Sequence, residues 1–316
     1  EEYGVAQISM NLTNISVTPV HIAFDECDKR ARERGIRVTG SEVVGLIPLQ
    51  SMLDAGRYFL RKQSRSTGIS DGELIKIAVK SMGMDDLAPF HPREKIIEYV
   101  LAGEQSDQLV KLPLEALVEI TASESVAPGG GSIAAAVGAL GAALGTMVAN
   151  LSSHRRGWDE RWQEFSDWAE KGKASQERLL TLVDTDTDAF NGVMAAVRLT
   201  ATTEEDKAAK HAAVQDATRC AIEAPLEVMR EALNSMELIA AMENIGQESS
   251  LSDAGVGALC VRTAVLGAGL NVRINCADLE NESQRAKYLA EAEILEQRAQ
   301  SQENEIMQSV LSKMNS

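Results

Sequence analysis

The chain has 316 residues, 44% hydrophobic and 25% charged, which is enough for two packed domains and outside the range of disordered or repetitive proteins. Its formal net charge of −16 leaves no basic surplus for nucleic acid or for an anionic membrane surface, so an anionic substrate would have to meet a local basic patch. The four cysteines, Cys27, Cys220, Cys260 and Cys276, show no paired spacing, and the four histidines form no HxxxH or Cys/His cluster. That pattern predicts reduced thiols, a cytoplasmic setting and no metal.

In chain order, residues 3–12 read as a strand, Val20 to Arg34 as an amphipathic helix ending at Gly35, and residues 36–47 as a second strand. Pro48 to Arg61 reads as a helix with proline in its first turn, Asp71 to Met82 as a shorter one, and Arg93 to Leu101 as the start of another. Residues 1–98 are thus expected to mix strands and helices, followed by an acidic linker over 99–112. From Pro113 onward only helical patterns occur. They cover Leu114 to Ser123, Ser132 to Ser153, Asp159 to Leu199, Glu204 to Ser235, Met236 to Asn244, Asp253 to Asp278 and Asn281 to the end. Long segments with short connections predict an antiparallel all-helical domain over 113–316. The missing initiator methionine, with a strand expected almost at once, suggests the later part of a longer protein.

Between Glu124 and His154 there is no charged side chain, and the run opens on Pro128, Gly129, Gly130, Gly131 and Ser132. Three glycines after a proline suit a tight loop whose backbone amides face a ligand, or equally a sharp corner between helices. Ser132 is placed to cap the helix that follows, where unpaired amides attract negative charge or a carbonyl oxygen. The run is long enough to raise a membrane span, but alanine and glycine contribute little transfer free energy, so a buried helix is the better account. Its small residues Ala134, Gly138, Gly141 and Gly145 would let neighbouring helices approach. Asn11-Leu12-Thr13 and Asn150-Leu151-Ser152 match the glycosylation pattern by chance.

In the segment from Asp159 to Leu199 an apolar stripe runs through Leu179, Leu182, Val183, Phe190, Val193, Met194 and Val197, and Asp186 sits within it. Asp184 and Asp188 lie two residues away, roughly 200° around the helix, and read as a solvated face. A carboxylate facing a core is either bonded to a neighbouring helix or has a raised pKa, and the second condition is what a general acid or base requires. In the segment from Asp253, Asn271 and Asn275 continue a small-residue face made by Ala264, Gly267 and Ala268. Two amides there suit the edge of a heterocycle such as a pteridine, or bonds between helices. Arg155, Arg156, Arg262 and Arg273 are the nearest basic groups and could fork a carboxylate or simply be solvated.

Together the PGGGS segment with its alanine ladder, the stretch from Leu182 to Asp186 with Phe190, and the stretch from Gly267 to Asn275 resemble the cyclodeaminase domain of bifunctional glutamate formimidoyltransferase-cyclodeaminases, over essentially all of 113–316. Val5 to Leu12 and Val38 to Leu49 resemble the C-terminal subdomain of the formimidoyltransferase, so the chain looks like a C-terminal portion in which that subdomain is incomplete. The resemblance implies a ferredoxin-like layer at the N terminus and conversion of 5-formiminotetrahydrofolate to methenyltetrahydrofolate and ammonia in histidine breakdown. It implies a tetrahydrofolate derivative as co-substrate, with or without a polyglutamate tail, no tightly bound cofactor, and a homo-oligomer built from dimers. Transfer of the formimino group from formiminoglutamate is expected only with the rest of the transferase. The family's catalytic aspartate falls on Asp186, and Arg155 and Arg156 match a basic pair that would take the glutamate tail. Gly129, Gly130, Gly131, Ser132, Asn271 and Asn275 would surround the pterin and formimino group. The alternatives are a methenyltetrahydrofolate cyclohydrolase and a non-catalytic folate-binding or oligomerisation module.

Overall fold

The computed structural model describes residues 6–102 and 108–315. Residues 3–5 of the first expected strand and 103–107 of the expected linker lie outside the described residues. The helices in order are α1 (Val20–Arg32), α2 (Leu49–Lys62), α3 (Asp71–Ser81), α4 (Pro92–Lys95), α5 (Ile97–Ala102), α6 (Leu114–Thr121), α7 (Gly130–Ser153), α8 (Trp162–Val197), α9 (Glu204–Ile245), α10 (Leu251–Cys276) and α11 (Glu282–Met314).

The two expected strands do not form among the described residues. The only pairing is a single parallel bridge between Ile47 and Ile96, so the mixed strand-helix architecture is replaced by a helical one. The physical reason is the lack of a partner. Alternating apolar residues stabilise a strand only when a neighbour supplies hydrogen bonds and covers one face, and here Ile8, Met10, Val44 and Leu46 are exposed. The bridge does have a local effect, since it separates α4 from α5 at Ile96. The core of this region lies between α2 and α3, where Met52, Phe59, Leu74, Ile75 and Met82 are buried.

From α7 onward the helices pack as an antiparallel bundle around Leu179, Leu182, Met229, Met236, Val261, Val265 and Ala268. The small residues of α7 work as expected from the sequence: a Cβ on Gly138 would stand 3.1 Å from that of Ala264, and one on Gly141 would stand 2.9 Å from the Gly257 carbonyl oxygen. The expected break between Ser235 and Met236 is absent, and α9 runs unbroken for 42 residues. Pro225 lies inside α9 and has no N–H for the Ala221 carbonyl, which instead accepts from Asn275 Nδ2 of α10 at 2.7 Å. α11 is tied along the bundle by Arg262–Glu303 at 2.8 Å and by Arg273, whose guanidinium forks Glu296.

The two regions meet at the loop between α2 and α3. Thr67 N donates to Ser166 Oγ of α8 at 3.0 Å, and Asn150 Nδ2 of α7 donates to the Gly68 carbonyl at 2.9 Å. Gly68 has no room for a side chain, because a Cβ there would lie 2.3 Å from the backbone of Ala169.

Two helical segments, Gly130–Ser153 and Glu248–Cys276, are long and apolar enough to cross a membrane; 61% and 50% of their most apolar windows are buried inside the bundle. The apolar residues they leave exposed, among them Leu140, Met147, Leu259, Leu270 and Ile274, belong to two adjacent antiparallel helices.

Candidate active site

The site forms where the first turn of α7 meets α8 and α10. Gly129 is the N-cap of α7, and the helix begins at Gly130, two residues before the position expected for it. Ser132 is therefore not the cap. It sits in the first turn, fully buried, and its hydroxyl donates to Asp186 Oδ2 of α8 at 3.0 Å. The Ser132 backbone N–H also bonds to the Asp186 carboxylate. Thr187 Oγ1 lies 3.1 Å from Ser132 Oγ.

The glycine at 131 is required by contact rather than by backbone angle: a Cβ on Gly131 would stand 2.1 Å from Asp186 Oδ1. One residue earlier, a Cβ on Gly130 would stand 3.2 Å from Asn271 Nδ2, so the amide of α10 packs on the glycine backbone from the other side. Asn271 Nδ2 donates to the Gly267 carbonyl of its own helix at 3.0 Å. Gly129 and Gly130 are exposed above the buried Gly131 and Ser132, and the first backbone N–H groups of α7 have no partner within the helix.

Asp186 is largely buried, and burial raises its pKa above the ordinary carboxylate range against the opposing effect of the two Ser132 hydrogen bonds. A carboxyl held this way takes up and gives up a proton closer to neutrality than a solvated one, while the glycine turn offers N–H donors beside it. Gly129, Gly130, Gly131, Asp186 and Asn271 are thus brought together, with Ser132 beneath them.

Other expected site residues fall elsewhere. Asn275 is one turn beyond Asn271 and spends its amide on Ala221. Arg155 and Arg156 follow the far end of α7, roughly 30 Å along the helix from Ser132 at 1.5 Å per residue. Arg155 stacks on Trp158 at 4.3 Å, and Arg156 borders a cleft of about 280 Å³ with Ser64, Arg65 and His154, so within one chain neither joins the Asp186 cluster. Asp184 is not merely solvated: its Oδ1 accepts from Leu109 N at 2.7 Å and fastens the start of the second described segment to α8. The apolar stripe of α8 is buried at Leu179, Leu182 and Val183 but emerges at Phe190 and Val197. A surface cleft of about 580 Å³ between α1 and α2 lies away from this cluster, and its Tyr58 and Lys62 both bond to Asp25. Among the described residues no three His, Cys, Asp or Glu side chains converge on a metal-sized site.

This arrangement sits within a sequence region that matches the family model described as Formiminotransferase-cyclodeaminase, over residues 113–294. The chain belongs to the formiminotransferase-cyclodeaminase family. Residues 1–102 match the Formiminotransferase domain, so both regions of the family are represented, which corrects the expectation of a C-terminal portion alone. The formimidoyltransferase-cyclodeaminase of Rattus norvegicus is 34% identical over 303 residues, 96% of this chain and 56% of that protein. The chain therefore spans about half the length of such relatives. The methenyltetrahydrofolate cyclohydrolase of Methylorubrum extorquens is 34% identical over 205 residues, 64% of this chain and 97% of that protein. The crystal structure of formiminotetrahydrofolate cyclodeaminase from Thermotoga maritima shares the fold with a TM-score of 0.57 at 24% identity, over 64% of this chain and 97% of that one.

Proposed function

We propose that this chain is a formimidoyltetrahydrofolate cyclodeaminase acting in histidine breakdown. The observation that carries this reading is a largely buried carboxylate, its pKa raised by burial, pressed against a glycine turn within a family match over 113–294. In the reaction, N10 of the folate attacks the carbon of the protonated formimino group (an amidinium, whose nitrogen already carries two protons), and a C–N bond forms there before the bond to that departing nitrogen breaks. Asp186 takes the proton of N10 and, as the acid, returns it to the nitrogen that leaves as ammonia. The carboxylate begins and ends the cycle ionised. Gly129, Gly130 and Asn271 border the pterin and formimino group, and Ser132 supports Asp186 instead of touching substrate. Arg155 and Arg156 serve a glutamate tail only if that tail belongs to a folate bound by a neighbouring subunit or by another part of the assembly.

The second reading, methenyltetrahydrofolate cyclohydrolase, is favoured by the cyclohydrolase relative that this chain covers almost completely. Supplying the chain with 5-formiminotetrahydrofolate and, separately, with methenyltetrahydrofolate distinguishes them. Ammonia release with growth of the methenyl absorbance supports the deaminase; loss of methenyl absorbance without turnover of the formimino substrate supports the hydrolase. Formimino transfer from formiminoglutamate requires the remainder of a transferase, in which residues 6–12 and 36–47 would pair as strands of a ferredoxin-like layer. The exposed Ile8, Met10 and Val44 support that role.

The protein is proposed to be cytoplasmic, in keeping with its four free cysteines, and to be a homo-oligomer built from dimers. The exposed apolar residues of the adjacent helices α7 and α10 support the dimer, because exposed large apolar side chains on neighbouring helices suit an association surface. Leu270→Lys is expected to give a monomer in sedimentation at micromolar concentration.

A further inference from the structure

Ser132 has no access to solvent, so both its hydrogen-bonding capacities must be met by protein. One side of its hydroxyl meets Asp186 Oδ2 at 3.0 Å and the other meets Thr187 Oγ1 at 3.1 Å. A hydroxyl both donates and accepts, whereas an ionised carboxylate only accepts and a protonated one also donates. We propose that Thr187 is a positioning residue for Asp186, and that the hydroxyls of Thr187 and Ser132 form a chain which reverses its direction as Asp186 gains and loses its proton.

With Asp186 ionised, Thr187 donates to Ser132 and Ser132 donates to the carboxylate. With Asp186 protonated, the carboxyl O–H donates to Ser132, Ser132 donates to Thr187, and the Thr187 proton turns outward. Only the two hydroxyls rotate, and no proton leaves the chain. Both states of the acid-base group then keep the same geometry, which a fixed donor such as an amide could not provide. The inference rests on Asp186 being the acid-base residue of the proposed reaction.

Other charges leave this chain undisturbed. α7 contributes no titratable side chain between Gly130 and Ser153, Arg273 of α10 is held by Glu296, Asp184 is held by Leu109 N, and Asp188 is exposed. Glu223 and Glu227 of α9 are committed to Arg230 and Arg178. The shift at Asp186 arises from burial and from Ser132 alone.

The test is the pH profile of kcat and KM for 5-formiminotetrahydrofolate turnover by the full chain and its Thr187→Val, Thr187→Ser, Ser132→Ala and Asp186→Asn variants. Thr187→Val leaves the buried Ser132 proton without an acceptor when Asp186 is protonated. Its kcat is expected to fall about tenfold at constant KM, with the protonation limb lower by about one pH unit. Ser132→Ala removes the donor to the ionised form and should move that limb upward. Thr187→Ser should behave as the parent. An unshifted limb in Thr187→Val, or the same direction of shift in both variants, would overturn the chain of hydroxyls while leaving the cyclodeaminase reading in place. Full activity of Asp186→Asn would instead remove Asp186 from the acid-base role, and this inference with it.

Discussion

The core of residues 108–315 sets the alanines and glycines of α7 and α10 in close contact among large side chains of α8 and α9 along five long helices, whereas that of residues 6–102 is a smaller cluster centred on two short ones. In the first region glycine and alanine bring backbones together, and this closeness lets the α7 turn rest directly on Asp186. In the second, apolar side chains at Ile8, Ile36 and Val44 remain uncovered. A bundle closes its hydrogen bonds within each helix and needs no outside partner, while strand segments depend on a neighbour. The comparison places the Asp186 cluster in the region that closes its own hydrogen bonds and leaves the other docked against it through the 63–70 loop.

The sharpest way to break this comparison is Gly131→Ala. The added Cβ must displace either the α7 turn or the Asp186 carboxylate, and a misplacement of about 1 Å at a reacting group costs on the order of a hundredfold in rate. Steady-state kinetics at unchanged helical content in circular dichroism would check it; parental kcat would show that the contact between turn and carboxylate is dispensable.

Gly68→Ala probes the joint between the regions, since its Cβ would collide with Ala169 and disturb the bonds of Thr67 and Asn150. Thermal unfolding should show a loss of about 1–3 kcal/mol. Faster proteolysis of the 63–70 loop, with the deaminase rate kept within about twofold, would locate the damage in docking. A smaller effect is expected at Asn275→Ala, which leaves the Ala221 carbonyl beside Pro225 without a donor, costing about 1 kcal/mol in denaturant unfolding.

The helical region was legible because its signals are local. The charge-free run, the glycines after Pro128 and the isolated Asp186 each follow from spacing along one helix, and the resemblance joined them. What was not legible depended on contacts between helices. Asn275 looks like a ligand amide in sequence because nothing there shows that Pro225, 50 positions earlier, has orphaned a carbonyl at its side. Ser132 looked like a cap because a hydroxyl after three glycines usually is one, and Thr187 carried no signal at all. Arg155 and Arg156 are near the glycine motif in sequence, but a 24-residue helix separates them in space. The strands failed for the opposite reason: their pattern is clear, but a sheet is a property of several segments.

The central claim, that Asp186 moves the proton of ring closure, is tested most directly by Asp186→Asn, measured for deamination of 5-formiminotetrahydrofolate and for thermal stability between pH 4 and 8. The account predicts a rate loss of about two to four orders of magnitude, the usual worth of a positioned acid or base. Because the folded-state pKa of Asp186 is raised, its ionised form weakens the fold above that pKa and the penalty disappears as pH falls through it. Asp186→Asn should accordingly match or exceed the parent in stability near pH 7 and lose that advantage toward pH 4. A variant that deaminates at the parental rate, or one that is inactive only because it no longer folds, would contradict the account.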